Sequence, residues 1–161
     1  MNSLQLTFIW VDDDGMLQLG IGVSSPSHSL YHETYVYPDQ LVAFAEGLKA
    51  FPINTEAEVT FECGSKDPKF HDYIRIRAFV LNPNGHSALE IESEVRGAAP
   101  VRAESHFFVA GLPADFNNLG KKIATWLAAL RLRRTAKSLG LKHYEERDRT
   151  ITGFSDTCDC D

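Results

Sequence analysis

The chain has 161 residues, 43% of them hydrophobic and 24% charged, and its formal net charge is −6. These values favour a single globular domain and exclude a wholly disordered chain. No apolar run reaches the roughly 20 residues that a membrane-spanning helix requires, and the N-terminus lacks the basic region of a signal peptide. Three cysteines form no disulfide framework, so we expect a protein of the reducing cytoplasm.

The charge is distributed unevenly along the sequence. Residues 1–120 contain 7 basic and 16 acidic side chains, whereas residues 121–149 contain 9 basic and 3 acidic ones. An acidic body favours a basic protein partner and argues against nucleic acid as a partner. The alternative is that the net charge only keeps the protein soluble, which any net charge away from zero helps to do.

The first three predicted elements are strands. The first strand ends at an Asp-Gly pair, residues 14–15, which favours a hairpin because glycine accepts a positive φ. In the return strand Gly20 and Gly22 share one face, where another group can approach closely or the strand can bend. A third strand spans residues 28–37 and has its tyrosines on one side. The apolar face of the first strand consists of Leu4, Leu6, Phe8 and Trp10.

Two amphipathic helices are predicted, and each begins with a proline. Pro38 and Pro113 fit the first position of a helix. The backbone N–H of that position makes no hydrogen bond within the helix, so a proline costs none there. The apolar residues that follow recur every three or four positions and therefore share one helical face. These stripes are Leu41, Phe44, Ala45, Leu48 and Phe51 in the first helix, and Phe116, Leu119, Ile123, Trp126, Leu127 and Leu130 in the second.

Four alternating segments between the two helices complete a pattern of the order βββαββββα. We predict an α+β fold in which an antiparallel sheet of about seven strands carries two packed helices. Residues 1–131 form this single domain. Residues 132–161 form a basic helical extension followed by a polar, acidic C-terminal tail.

Three glutamates form the most regular charged feature of the sequence. Glu90, Glu92 and Glu94 alternate along a strand and share one face. The preceding strand exposes Arg75 and Arg77, and the two charged faces match only when paired residue numbers have an odd sum, as for Arg77 opposite Glu90. One interpretation is a set of cross-strand ion pairs, each worth about 0.2–1 kcal/mol. The other is an acidic face for a basic partner.

We find no catalytic, cofactor or metal site in the sequence. The aspartates of residues 12–14 lack the alternate spacing of a calcium-binding loop, and the six histidines show no zinc-binding spacing. No serine or cysteine lies in a glycine-flanked nucleophile turn, and no glycine-rich phosphate loop precedes a helix. The C-terminal residues offer soft-metal ligands without completing a site; they are Cys158, Asp159, Cys160 and Asp161.

Three segments of the chain are similar to a small bacterial family of immunity-like proteins. They are PDQLVAFAEGLKAFP after the third strand, NPNGHSALEIESEV in the later hairpin, and the last strand and helix ending in TWLAAL. The family's namesake is the antidote to a wall-associated tRNase toxin. The resemblance covers roughly residues 4–131 and implies a binding protein with no catalytic motif to transfer, whereas residues 132–161 depart from the family's usual end.

The leading functional hypothesis is therefore a non-enzymatic bacterial protein that neutralises a basic toxin domain through an acidic surface. Complementary charge accelerates encounter and selects partners, which suits such a role. The residues predicted to bind the partner are Asp12, Asp13, Asp14, Glu90, Glu92 and Glu94.

Two alternatives from other classes remain open. One is a small-ligand-binding protein or an enzyme with a pocket between sheet and helices. The aromatic residues available to line that pocket are Tyr31, Tyr35, Tyr37, Tyr73 and Phe79. The other is a self-associating structural protein, a homodimer that pairs the stripe of Leu132, Ala136 and Leu139.

Overall fold

The computed structural model describes residues 2–138 and 150–153 of the chain, and for residues 132–138 it describes the backbone alone. Ten elements follow one another along these residues. They are β1 (Ser3–Val11), β2 (Leu17–Ser24), β3 (Ser29–Val36), α1 (Pro38–Ala50), β4 (Glu58–Gly64), β5 (Asp72–Val80), β6 (Ser87–Val95), β7 (Ala103–Gly111), α2 (Pro113–Ser138) and β8 (Thr150–Gly153).

The strands form two four-stranded antiparallel sheets. Sheet 1 has the order β3-β2-β1-β8, and sheet 2 has the order β4-β5-β6-β7. The α+β class is confirmed, but the prediction of one sheet with about seven strands is wrong. The division falls between β3 and β4, which α1 separates in the sequence. Apolar alternation specifies which face of a strand is buried, and it leaves open which strand lies beside it.

A short strand that the sequence did not predict completes sheet 1. Residues 150–153 of β8 pair with Leu4 to Thr7 of β1. Ile151 packs against the core, and Gly153 is so close to Leu119 that an added Cβ would lie 2.6 Å from its Cδ1 atom. Part of the segment predicted to be a polar tail therefore belongs to the sheet. The sequence TITG gave little signal, because only one of its four residues is large and apolar.

The two helices pack against each other through the predicted apolar stripes. Every residue of both stripes is buried, so these predictions are confirmed. The helices approach closely at Gly120, where an added Cβ would lie 2.6 Å from the carbonyl oxygen of Ala45. Asn117 Nδ2 donates to the carbonyl oxygens of Leu48 at 2.8 Å and Phe51 at 2.5 Å. These hydrogen bonds satisfy carbonyl groups at the C-terminal end of α1, where a helix offers no backbone N–H to its last carbonyls. No helix in residues 2–138 is long and apolar enough to cross a membrane.

A β-bulge in β1 overturns one prediction about the first strand. Phe8 pairs with Leu19, but the next regular pair is Trp10 with Gln18, so Ile9 is the extra residue. A bulge of one residue reverses the alternation beyond it. Trp10 therefore leaves the apolar face of Leu4, Leu6 and Phe8 and lies on the outer face of sheet 1, where it is 53% exposed.

A buried polar cluster joins the two sheets. His32 of β3 is 1% exposed; its Nδ1 lies 2.9 Å from Ser93 Oγ of β6, and its Nε2 lies 3.3 Å from Asp72 Oδ2 of β5. Thr34 donates to the same Asp72 oxygen at 2.8 Å. Because buried polar groups are costly without partners, this cluster favours one position of β3 relative to sheet 2.

Candidate binding surface on sheet 1

Three aromatic side chains are exposed on the outer face of sheet 1, and we call Trp10, Tyr31 and Tyr35 the aromatic platform. Their exposed fractions are 53%, 60% and 51%. Tyr31 and Tyr35 face outward because the alternate residues of β3, including His32 and Thr34, face the core. Trp10 joins them because of the bulge. Aromatic rings of this size normally bury much of their area, so a group of exposed rings indicates a binding surface.

The strand register brings the platform together on a floor of small and polar residues. Gln18 is paired with Trp10 on one side and with Tyr35 on the other, which makes one cross-strand row. Gly22 is paired with Gln5 and with Tyr31, which makes a second row. The floor is flat between these rows, because both outward positions of β2 between Gln18 and Ser24 are glycines.

The ring of Tyr31 lies across one of these glycines. A Cβ added to Gly20 would lie 2.4 Å from Tyr31 Oη, a distance that side chains do not show. Of the two alternatives for this glycine face, close approach applies at Gly20, whereas a Cβ added to Gly22 would meet nothing nearer than Gln5 Cβ at 3.7 Å. With one face of the Tyr31 ring against the sheet, the other face is free to stack on a flat ligand.

Glu33 lies between the two tyrosines and is the only charged side chain that faces outward from the described strands of sheet 1. Its Oε1 accepts a hydrogen bond from Tyr31 Oη at 3.1 Å, and its Oε2 accepts one from Gln18 Nε2 at 3.3 Å. Burial raises the pKa of Tyr31, and the hydrogen bond to Glu33 and its negative charge raise it further. The neutral hydroxyl therefore stays a donor to Glu33 at neutral pH.

The edge of sheet 1 opposite the tyrosines is next to basic residues of α2. Lys121 and Lys122 are exposed, and Lys122 Nζ donates to the carbonyl oxygen of Thr152 in β8 at 2.9 Å. A groove of about 420 Å³ lies between α2 and β8 and is lined in part by both lysines, Thr125 and Thr150. The basic segment of residues 121–149 thus begins beside the neutral face that carries the platform.

The outer face of sheet 2 has a different character, because it carries many charged side chains and several of them form ion pairs. Arg77 Nε donates to Glu90 Oε2 at 2.7 Å, Arg75 lies 3.4 Å from the same oxygen, and His106 Nε2 lies 2.9 Å from Glu90 Oε1. Burial alone would raise the pKa of Glu90, but the hydrogen bonds from His106 and Arg77 and the arginine charges outweigh it and lower that pKa. The register has the odd sum under which the two charged faces match: Arg77 is opposite Glu90, and Arg75 is opposite Glu92.

The residues predicted to form one acidic surface lie on different sheets. The aspartates of residues 12–14 form the β1–β2 turn of sheet 1, where Asp12 Oδ1 accepts from the backbone N–H of Met16 at 2.8 Å. On sheet 2, Glu90 is 7% exposed, Glu92 pairs with Lys66 and Arg75, and Glu94 pairs with Arg96. The interpretation as cross-strand ion pairs therefore describes Glu90 and Glu92. The third glutamate, Glu94, pairs with Arg96 instead.

The other predicted site residues do not come together either. Tyr31 and Tyr35 face outward from sheet 1, whereas Tyr73 and Phe79 belong to β5 of sheet 2, so they line no common pocket. The two grooves next to the helices, of about 460 and 420 Å³, are lined by none of the five aromatic residues proposed. The side chains of Leu132, Ala136 and Leu139, and the tail of residues 158–161, lie outside the described part of the chain.

Part of the platform was visible in the sequence. The even spacing of Tyr31 and Tyr35, which places them on one side of a strand, and the glycine pair in β2 were both recognisable there. Trp10 was missed because a bulge leaves no mark in an alternating pattern, and Glu33 was missed because nothing local distinguishes it from a solvated glutamate. The four residues meet only through the pairing of β1, β2 and β3.

No family model and no curated protein matches the chain. Among solved structures, it is similar to the plant transcriptional regulator PBF-2, with a TM-score of 0.46 and 10% identity over 85% of this chain and 79% of that one. It is also similar to WHY3 from Arabidopsis thaliana, with a TM-score of 0.46 and 9% identity over 87% and 89%. For WHY1 from the same plant, the TM-score is 0.47 and the identity 10%, over 91% and 92%.

These similarities contradict the functional prediction made from the sequence. The similar structures are plant proteins, one of them a transcriptional regulator, and none is described as an immunity protein. The comparisons thus disagree with the predictions of toxin immunity, of a basic toxin domain as partner and of nucleic acid as an unlikely partner.

Proposed function

We propose that this protein is a non-catalytic, cytoplasmic binding protein that holds single-stranded nucleic acid on the outer face of sheet 1. The observation that carries the proposal is the aromatic platform: Trp10, Tyr31 and Tyr35 are all about half exposed or more, on a floor of glycine and uncharged polar residues. A folded protein exposes such a group of rings at a cost unless a ligand covers them.

The chemistry of the platform fits unpaired bases. Every base has a flat face that can stack on an aromatic ring, and one such contact is worth about 1–3 kcal/mol. Bases in a duplex already stack on each other, so their faces are inaccessible. The hydroxyl and amide groups around the rings, including Thr7, Gln5 and Gln18, supply donors and acceptors for base edges and sugars.

The distribution of charge supports the same ligand. Glu33 is the only charged side chain on this face of the described strands, and the basic segment of residues 121–149 begins beside β8 with Lys121 and Lys122. A positive region that attracts the phosphate backbone, next to rings that stack on bases, is the general arrangement of single-strand binding proteins. A neutral oligosaccharide would also stack on the rings but would gain nothing from the lysines.

Fluorescence anisotropy with labelled oligothymidine, oligouridine and duplex DNA of about 12 nucleotides per strand tests the proposal at low salt. We expect single strands to bind, duplexes to bind more weakly, and Tyr35→Ala and Trp10→Ala each to weaken single-strand binding about 5- to 150-fold. The matched control is Phe70→Ala, which removes an equally exposed ring from the β4–β5 loop.

Two outcomes would overturn the proposal. One is a set of single-strand affinities that the platform variants leave unchanged. The other is an absence of single-strand binding, and in that case saturable binding of a neutral oligosaccharide, read from a change in tryptophan fluorescence that Trp10→Ala abolishes, would assign the platform to a different ligand.

A further inference from the structure

Glu33 places a negative charge in the middle of the platform, where it does not favour binding of a negatively charged strand. It lies two residues from Tyr31 and two residues from Tyr35 on the outward side of β3, and its side chain is exposed. A carboxylate repels the phosphate groups of the strand, which weakens binding wherever the backbone passes close by. A charge that opposes affinity at the centre of a binding surface suggests a role in selecting the base.

The carboxylate of Glu33 is oriented by its neighbours and still has acceptor capacity. Tyr31 Oη donates to one oxygen and Gln18 Nε2 donates to the other, at 3.1 and 3.3 Å. An ionised carboxylate offers about four acceptor positions, two on each oxygen. Each oxygen therefore retains about one, and these two acceptors lie side by side with a fixed orientation.

Two adjacent acceptors are complementary to two adjacent N–H donors. On its Watson–Crick edge guanine presents the ring N1–H beside the exocyclic amino group at C2. Cytosine and adenine each place one amino group next to a ring acceptor, and thymine and uracil place one N–H between two carbonyl oxygens. Only guanine can donate to both oxygens of a carboxylate at once, and unpaired bases are recognised on this edge when they leave the stack.

Resting on the function proposed above, we infer that Glu33 makes the platform prefer guanine in single-stranded nucleic acid. The base stacks on the aromatic platform while its N1–H and amino group donate to the two oxygens of Glu33. The negative charge of Glu33 keeps the backbone away from β3, on the side of β8 and the lysines of α2. Glu33 thus recognises the base edge, and the rings supply affinity that does not depend on sequence.

The test compares oligothymidine with oligomers of the same length in which alternate bases are 7-deazaguanine or hypoxanthine. The first base keeps both donors but cannot form quadruplexes, and the second lacks the amino group. A bidentate contact is worth about 1–3 kcal/mol, so we expect the deazaguanine oligomer to bind about 5- to 150-fold more tightly than oligothymidine, with hypoxanthine between them.

The variant that isolates the carboxylate is Glu33→Gln, which keeps the size of the side chain. We expect it to lose the preference for guanine while its affinity for oligothymidine stays equal or rises, because a repulsive charge is removed. Glu62→Gln, an exposed glutamate on sheet 2, is the matched control and should keep the preference. Equal binding of the three oligomers by the native protein, or a preference that survives in Glu33→Gln, would overturn the inference and leave the proposed function standing. Absence of binding to every oligomer would overturn both.

Discussion

Tyr31 lies across Gly20 so closely that a methyl group on the glycine would be 2.4 Å from the phenol oxygen. The two residues belong to neighbouring strands and are offset by two positions, since the partners in register are Gly22 with Tyr31 and Gly20 with Glu33. The side chain of Tyr31 thus leans along its strand towards Glu33, to which it donates a hydrogen bond. This pair defines the flat part of the candidate binding surface.

The first prediction concerns the glycine under the ring. In Gly20→Ala the Tyr31 ring must lift from the sheet, and because the ring is exposed and can rotate, we expect stability to change by less than about 1 kcal/mol. Single-strand affinity should fall several-fold, because the ring no longer lies flat. Gly22→Ala is the control, since its methyl would have 3.7 Å of space. Equal affinities of the two variants in anisotropy titrations would contradict this account.

The second prediction concerns the contact between the helices. In Gly120→Ala the methyl group would lie 2.6 Å from Ala45 O and 2.8 Å from Lys49 N, which are backbone atoms that cannot rotate away. We expect the free energy of unfolding in urea to fall by about 1–3 kcal/mol, although alanine is the better helix former. Gly47→Ala meets only the side chain of Val59 and should cost less. A loss in Gly47→Ala equal to or larger than that in Gly120→Ala would refute the explanation.

The third prediction concerns the buried glutamate of sheet 2. In Glu90→Gln the guanidinium groups of Arg75 and Arg77 lose a common carboxylate, so we expect a loss of about 1–3 kcal/mol at pH 7. Glu58→Gln, which removes an exposed partner of the same Arg77, should cost less than about 1 kcal/mol. Chemical denaturation of both variants provides the measurement, and equal losses would mean that burial of Glu90 is not the cause.

The lowered pKa of Glu90 also predicts a pH dependence. Its contribution to stability is present above the ordinary carboxyl pKa of 4.5 and is lost as the pH falls through the lower pKa of the folded protein. The stability difference between the native protein and Glu90→Gln should therefore shrink in acid. A difference that is constant from neutral pH down to the acid limb of unfolding would contradict the pKa assignment.

The fourth prediction concerns the histidine between the sheets. Burial lowers the pKa of His32 below 6.5, although its contact with Asp72 opposes the shift. The unfolded chain then binds a proton that the folded protein does not, so stability falls as the pH drops below about 6.5. His32→Asn should give a flatter profile of unfolding free energy between pH 8 and 5, about the range in which histidine titrates. An NMR titration that places the His32 pKa of the native protein above 6.5 would contradict this prediction without relying on the variant.

The predictability of the fold differs from one element to the next for physical reasons. The stripe from Phe116 to Leu130 is long and periodic, so one helical face had to be buried, and all six of its residues are. For the β5–β6 pairing only the odd sum of paired residue numbers was predictable, because a slip of one residue would turn the glutamates of β6 against the core face of β5. The length of β8 is four residues, too few to show a period.

The candidate site was less predictable than the fold. The sequence directed attention to charged residues, which are conspicuous in a linear pattern, and the tyrosines of β3 entered only one alternative hypothesis, as the lining of a pocket. Tyr31 and Tyr35 instead face solvent, because the cluster of His32 and Thr34 occupies the inner side of β3. A buried histidine beside Ser93 depends on a contact 61 residues away in the chain, and such a contact has no local signal.

By itself, the sequence determined the α+β class, the buried faces of both helices and of most strands, and the odd sum that paired residue numbers need for the charged faces of the hairpin to match. Each of these follows from a periodic pattern of apolar residues close together in the sequence, because burial of those residues determines which face of the element is turned to the core. Tertiary structure alone decided the division into two sheets, the outward turn of Trp10 and the convergence of Trp10, Tyr31, Tyr35 and Glu33 on one face. Those features depend on which strands pair and on the position of the β-bulge in β1. Both are determined by contacts between residues that are far apart in the chain.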